Sequence, residues 1–240
     1  MLVAESCDLA RLLVDRMPKV EGVDVVIAPP FTSLYPVGQI IKNSRLGLAG
    51  QNFYFENHGA YTGEISPEML KDLGCGYALI GHSERRRISR ENNQDINHKV
   101  HRAVQTGMTA VVCVGESLDQ READQTLNTI ETQLTEGLAG FSDENRGQLT
   151  IAYEPVWAIG TGVNANPEQV FEIHRFIRGF LIEKLKFSEV PRVRIIYGGS
   201  VSPENCNDLL LQDEIDGLLV GGASLNFDSF YAIINSALGI

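Results

Sequence analysis

Short runs rich in Val, Ile and Leu alternate with longer segments of helical period along all 240 residues, and no Pro/Gly/Ser linker or low-complexity tract interrupts them. Seven runs qualify as strands: Val23–Ala28, Leu46–Gln51, Tyr77–Ile80, Thr109–Val114, Leu149–Tyr153, Val193–Tyr197 and Ile215–Val220. They are mostly continuous apolar runs, the pattern of strands covered on both faces of a parallel sheet. Eight segments carry a helical period, around residues 3–17, 33–43, 67–73, 92–107, 119–138, 167–186, 204–211 and 228–237. In the first of them Val3, Cys7, Ala10, Val14 and Met17 share one face, yet no strand precedes that helix to receive it. A closed barrel of eight strand–helix units opens with a strand, so the expectation is an α/β (β/α)8 barrel lacking its first β-strand, with seven strands and eight helices. A doubly wound open sheet uses the same parts, and strand count leaves it open.

A chain of this length buries about 70% of its unfolded surface, enough for one sizeable core, and residues 1–240 read as one domain, N-terminally incomplete. With 43% hydrophobic and 21% charged residues, disorder and collagen are excluded. No apolar run approaches the roughly 18 residues of a membrane span. Twenty Lys and Arg against 31 Asp and Glu leave a net charge of −11, which disfavours nucleic acid as a partner, so any anionic ligand must be held locally. Cys7, Cys75, Cys113 and Cys206 are far apart, without C-x-x-C spacing, and fit a reducing compartment. Glu5, Asp8, Arg11 and Asp15 interrupt what would be the apolar stretch of a signal peptide, so the expected location is cytoplasmic.

In either parallel architecture the chemistry sits at the C-terminal ends of the strands, where four segments stand out. Gly81-His82-Ser83-Glu84-Arg85-Arg86 follows Tyr77–Ile80 and offers an imidazole, a carboxylate and guanidiniums, or simply a polar loop that caps the next helix. Tyr153-Glu154-Pro155-Val156-Trp157-Ala158-Ile159-Gly160-Thr161-Gly162 sets a carboxylate at a strand end before an apolar loop. That combination suits a proton-abstracting base under a lid that excludes water, with packing of the loop under a barrel rim as the less favoured alternative. Tyr197-Gly198-Gly199-Ser200-Val201 and Val220-Gly221-Gly222-Ala223-Ser224 end the last two strands. One Gly-Gly is usually a tight turn; two on consecutive strand ends reproduce a barrel's phosphate site.

Other features fit plain structural roles. His98 and His101 are three apart on a helix, but no Cys or carboxylate completes a metal set. Gly74-Cys75-Gly76 precedes a strand and is no dinucleotide fingerprint. The acidic spread over residues 116–144 reads as a solvated helical face.

Gly-His-Ser-Glu-Arg-Arg and Tyr-Glu-Pro-Val-Trp-Ala-Ile-Gly-Thr-Gly in one chain, in this order and spacing, closely resemble the triosephosphate isomerase family over essentially the whole length. The resemblance implies a TIM barrel that interconverts dihydroxyacetone phosphate and D-glyceraldehyde 3-phosphate, a step of glycolysis and gluconeogenesis, with no cofactor and no metal. It makes Glu154 the base and His82 the neutral imidazole that polarises the carbonyl, roles the family illustrates in general accounts of pKa tuning. Glu84 would support the site beside His82, and Gly160, Ser200, Gly221 and Gly222 would bind the substrate phosphate through their N–H groups. The segment His58–Glu64 resembles the loop that members insert into a second subunit, which implies a homodimer through Tyr61 and Thr62.

Two departures accompany the resemblance. The family's opening strand ends in Asn-x-Lys, whose Lys faces the substrate, and neither residue is present here. Val163-Asn164 also stands where members usually carry Lys and then Ser or Thr. The missing Lys keeps open an inactive truncated form or a non-catalytic phosphate-binding dimeric scaffold. An aldolase- or synthase-like barrel fits the glycine pairs but has no strand-end Lys for a Schiff base.

Overall fold

All seven apolar runs fold as strands. In chain order the elements are α1 (Val3–Arg16), β1 (Val26–Ile27), α2 (Phe31–Ile41), β2 (Gly47–Gly50), α3 (Pro67–Asp72), β3 (Tyr77–Ile80), α4 (Ser83–Ile88), α5 (Asn93–Gln105), β4 (Thr109–Val114), α6 (Leu118–Glu122), α7 (Thr126–Gly137), β5 (Leu149–Tyr153), α8 (Pro167–Glu183), β6 (Arg194–Tyr197), α9 (Cys206–Leu210), β7 (Gly217–Leu218) and α10 (Phe227–Leu238). The computed structural model describes residues 1–17, 22–159, 165–188 and 192–239.

Each strand pairs in parallel with the next, in the order β1-β2-β3-β4-β5-β6-β7. A doubly wound sheet reverses its order at a switch point, so this unbroken succession excludes the competing architecture. In a flat sheet β1 and β7 would stand about 29 Å apart, at roughly 4.8 Å per strand. Yet α1, about 10 Å across, packs against both α2, which follows β1, and α10, which follows β7. The sheet therefore curls until the helices of its two ends flank a single helix, consistent with a TIM barrel. Among the described residues β1 and β7 are its edges.

Strand β4 shows why these runs are continuously apolar. Ala110, Val112 and Val114 point into the main core under the helices, whereas Val111 and Cys113 join Ala152 in a smaller cluster on the opposite, inner face. Both alternating faces are covered, so neither position admits a polar residue. Helix α1 buries Ser6, Cys7, Ala10 and Leu13, and Val3 is exposed. The apolar stripe is thus turned slightly from its expected line, towards the neighbouring helices.

Two helical expectations need correction. The segment 119–138 is two helices, α6 and α7, broken where Asp124 takes φ +55°, a left-handed conformation no α-helix continues through. Five polar and charged residues after His82, followed by Ile88, form α4, which lacked the apolar periodicity that would have revealed it. No helix of the described residues is long and apolar enough to cross a membrane.

Candidate active site

Parallel pairing brings the C-terminal ends of β3, β4 and β5 side by side, with Ile80 beside Val112 and Val114 beside Tyr153. His82 and Glu154 leave the barrel at those ends. His82 caps α4: its Nδ1 accepts the Glu84 N–H at 3.3 Å, which satisfies one of the helix's free donors. The other ring nitrogen, Nε2, stands 3.1 Å from Oε1 of Glu154.

Glu154 is buried, only 2% exposed, and its main-chain N–H donates to Val114 O at 2.8 Å. Oε2 of its carboxylate accepts the Ser83 N–H at 2.9 Å. Oε1 has no hydrogen-bond donor among the described residues, because the His82 contact is short but off the N–H direction. Burial pushes the Glu154 carboxyl above the ordinary carboxylate range; His82, the Ser83 N–H and a hydrogen bond from the Cys113 thiol oppose that rise. Burial and the neighbouring Glu154 in turn push the Cys113 thiol well up, so it stays protonated as a donor.

Two glycines make room for this carboxylate. A Cβ on Gly115 would lie 1.8 Å from the Glu154 carbonyl oxygen, and one on Gly198 would lie 3.0 Å from its Cγ. Gly115 is itself held by a two-way amide pair, donating to Gln133 Oε1 at 2.8 Å and accepting from Gln133 Nε2 at 3.1 Å. Glu84, in contrast, is largely exposed, and its Oε2 is 3.9 Å from Nδ1 of His82, beyond hydrogen-bond reach.

The loop after Glu154 is anchored by a residue read from sequence as part of a solvated acidic face. Glu116 is fully buried, and its Oε1 accepts from Trp157 Nε1 at 2.8 Å and from Tyr153 OH at 3.3 Å, with Arg121 also at 3.3 Å. The Arg121 guanidinium lies 4.5 Å above the Trp157 ring. Glu116 O accepts from Val156 N at 3.0 Å, fixing the short turn Val156–Ala158. Gly160, Thr161, Gly162, Val163 and Asn164 lie outside the described residues.

Tyr197 pairs with Leu218, which sets the turns after β6 and β7 next to each other. Ser200 lies in the first, its carbonyl accepting from Asn205 Nδ2 at 3.0 Å. Gly221 and Gly222 are exposed in the second, where Ser224 N and Oγ close onto Gly221 O at 2.9 and 2.7 Å. The main-chain N–H groups of Ser200, Gly221 and Gly222 have no acceptor among the described residues. Among those residues no group of three or more His, Cys, Asp or Glu is placed to hold a metal ion.

A family model described as triosephosphate isomerase matches residues 2–237. The chain belongs to the triosephosphate isomerase family. It is 46% identical over 234 residues to the triosephosphate isomerase of Carboxydothermus hydrogenoformans, covering 98% of this chain and 93% of that one. It is 47% identical to that of Protochlamydia amoebophila, with 97% and 88% covered, and 46% identical to that of Dictyoglomus thermophilum, with 97% and 94% covered. Against this family background the structure brings His82 and Glu154 into contact, and Ser200 and the Gly221-Gly222 pair follow neighbouring, paired strands. Glu116, Cys113, Gly115 and Gln133 are site neighbours that no motif pointed to; the signal available for Glu116 was its place directly after a buried strand, where a carboxylate is seldom merely solvated.

Proposed function

We propose that the chain interconverts dihydroxyacetone phosphate and D-glyceraldehyde 3-phosphate through an enediolate, the activity named by its relatives. The observation that supports this most is the Glu154 carboxylate: buried, steered at one oxygen by the Ser83 N–H, and open at the other beside His82 Nε2. Such a group abstracts a proton next to a carbonyl without first shedding water or an internal partner. His82, with Nδ1 accepting, keeps its donor on Nε2 for the oxygen that becomes negative. Glu84 supports His82 from outside. The N–H groups of Ser200, Gly221 and Gly222, together with Gly160, take the phosphate dianion, whose charge the acidic chain otherwise repels.

We read residues 1–240 as one barrel domain working in the cytoplasm without a cofactor. Its partner is a second copy of itself, docked through Tyr61 and Thr62, both exposed, with the Tyr61 ring 4.7 Å from that of Tyr54. We read the interval between the β7 and β1 edges as the place of a further strand, since α1 already spans it on the outside. A coupled assay of the 240-residue chain in both directions tests the proposal: interconversion of the two triose phosphates supports it. A chain that binds phosphate but converts neither supports the scaffold reading instead.

A further inference from the structure

We propose that Arg86 is a positioning residue for the His82–Glu154 pair, its guanidinium fixing the spacing of the two strand ends that hold the pair. The inference rests on the isomerase reading above and deepens it.

Main-chain pairing between β3 and β4 stops at Ile80 and Val112. The next residue on each strand is Gly81 and Cys113, and there Arg86 takes over: Nε donates to the Gly81 carbonyl at 2.9 Å and Nη2 to the Cys113 carbonyl at 3.0 Å. Gly81 directly precedes His82. On the β4 side, Val114 O accepts the Glu154 N–H at 2.8 Å, and Gly115, two residues after Cys113, lies against the Glu154 main chain. One planar cation thus sets the distance between the strand end that carries the imidazole and the one that buttresses the carboxylate.

The third contact stiffens the clamp. Nη1 donates to Asn93 Oδ1 at 2.7 Å, and Asn93 Nδ2 donates in turn to Glu136 Oε2 at 2.8 Å, which ties the fork to α5 and α7. None of these three acceptors is a carboxylate. The guanidinium is half-buried, and the charges of Glu154 and Glu91, which it does not hydrogen-bond, offset part of the cost of its burial. What the neutral acceptors use is the shape: three divergent donors in one rigid plane, which the compact ammonium of Lys cannot reproduce. The hydrogen bonds of Arg86 go to Gly81, Asn93 and Cys113 and not to the turns in which Ser200, Gly221 and Gly222 lie, so its effect is on the reacting pair and not on phosphate affinity.

The test compares Arg86→Lys and Arg86→Ala with the unaltered chain, following kcat, KM, folded fraction by circular dichroism and the His82 ring nitrogens by NMR. The proposal predicts that Arg86→Lys lowers kcat about 10- to 100-fold with KM within about twofold, as expected for a small misplacement of reacting groups. It also predicts a shifted His82 ring resonance, and recovery of kcat in Arg86→Ala with millimolar guanidinium but not with methylammonium. Should Arg86→Ala fail to fold, the Lys variant decides alone. Wild-type kcat in Arg86→Lys with an unmoved ring resonance overturns the proposal, as does a loss of rate that merely tracks the folded fraction. If the unaltered chain converts no triose phosphate, the isomerase reading fails, and the ring resonance still decides whether Arg86 positions His82.

Discussion

Nε2 of His82 stands 3.1 Å from Oε1 of Glu154, while Nδ1 of the same ring accepts the Glu84 N–H at 3.3 Å. The second contact constrains the first, because a ring nitrogen that accepts carries no proton. The neutral ring is therefore the Nε2–H tautomer, which points its donor to the Glu154 side. Long-range proton–nitrogen NMR is expected to show this tautomer, and His82→Gln is expected to lower kcat about 100-fold or more. A Nδ1–H ring would remove the proposed electrophile.

Glu154→Gln is expected to be more stable than the parent chain at pH 7. Burial raises the carboxyl pKa in the folded state, so folding favours the protonated form, and that stability is lost as pH rises through the folded pKa. Glutamine never bears the charge. The difference in melting temperature should shrink on lowering the pH to about 4, near the reference value of the unfolded group. A variant less stable at pH 7 and unchanged by acid would contradict the burial argument.

Replacing Glu116 by Ala removes the carboxylate that accepts from both Trp157 Nε1 and Tyr153 OH. Tyr153 is buried, and a buried hydroxyl deprived of its acceptor costs about 1–3 kcal/mol. The variant should lose about that stability in urea, and its Trp157 fluorescence should shift towards that of an exposed indole. An unchanged spectrum would mean that Glu116 does not hold the loop.

His174 should make the fold sensitive to acid. Its ring is fully buried, Nδ1 bonds Glu214 O at 3.1 Å, and burial lowers its pKa to about 4. Between the reference value of about 6.5 and the folded value, only the unfolded chain takes up the proton, so stability is full above that window and falls as pH drops through it. The span corresponds to roughly 3 kcal/mol. Chemical denaturation of His174→Gln from pH 7 to 4 should lack that share of the loss; parallel curves for both chains would exclude it.

The barrel was legible because burial on both faces keeps strands such as β4 and β5 almost wholly apolar, with Thr109 and Thr150 the exceptions, and because strand ends carry the chemistry in any parallel sheet. His82 and Glu154 stood out for the same reason. What sequence did not reveal depends on distant pairings: Gln133 lies 18 residues from Gly115, and Glu116 meets Trp157 41 residues away. An acidic side chain read alone is a solvated one until three donors converge on it. The break between α6 and α7 rests on a single backbone angle at Asp124 that no local residue pattern announced.

The most direct test of the central claim follows proton exchange at the carbon next to the carbonyl. Dihydroxyacetone phosphate is incubated in deuterium oxide with the 240-residue chain or with Glu154→Gln, and deuterium at that carbon is read by NMR. The account predicts stereospecific incorporation by the parent chain and a rate at least about 100-fold lower in the variant, as for loss of a positioned base. Equal rates for the two chains, or no incorporation above the protein-free rate by the parent, would contradict it.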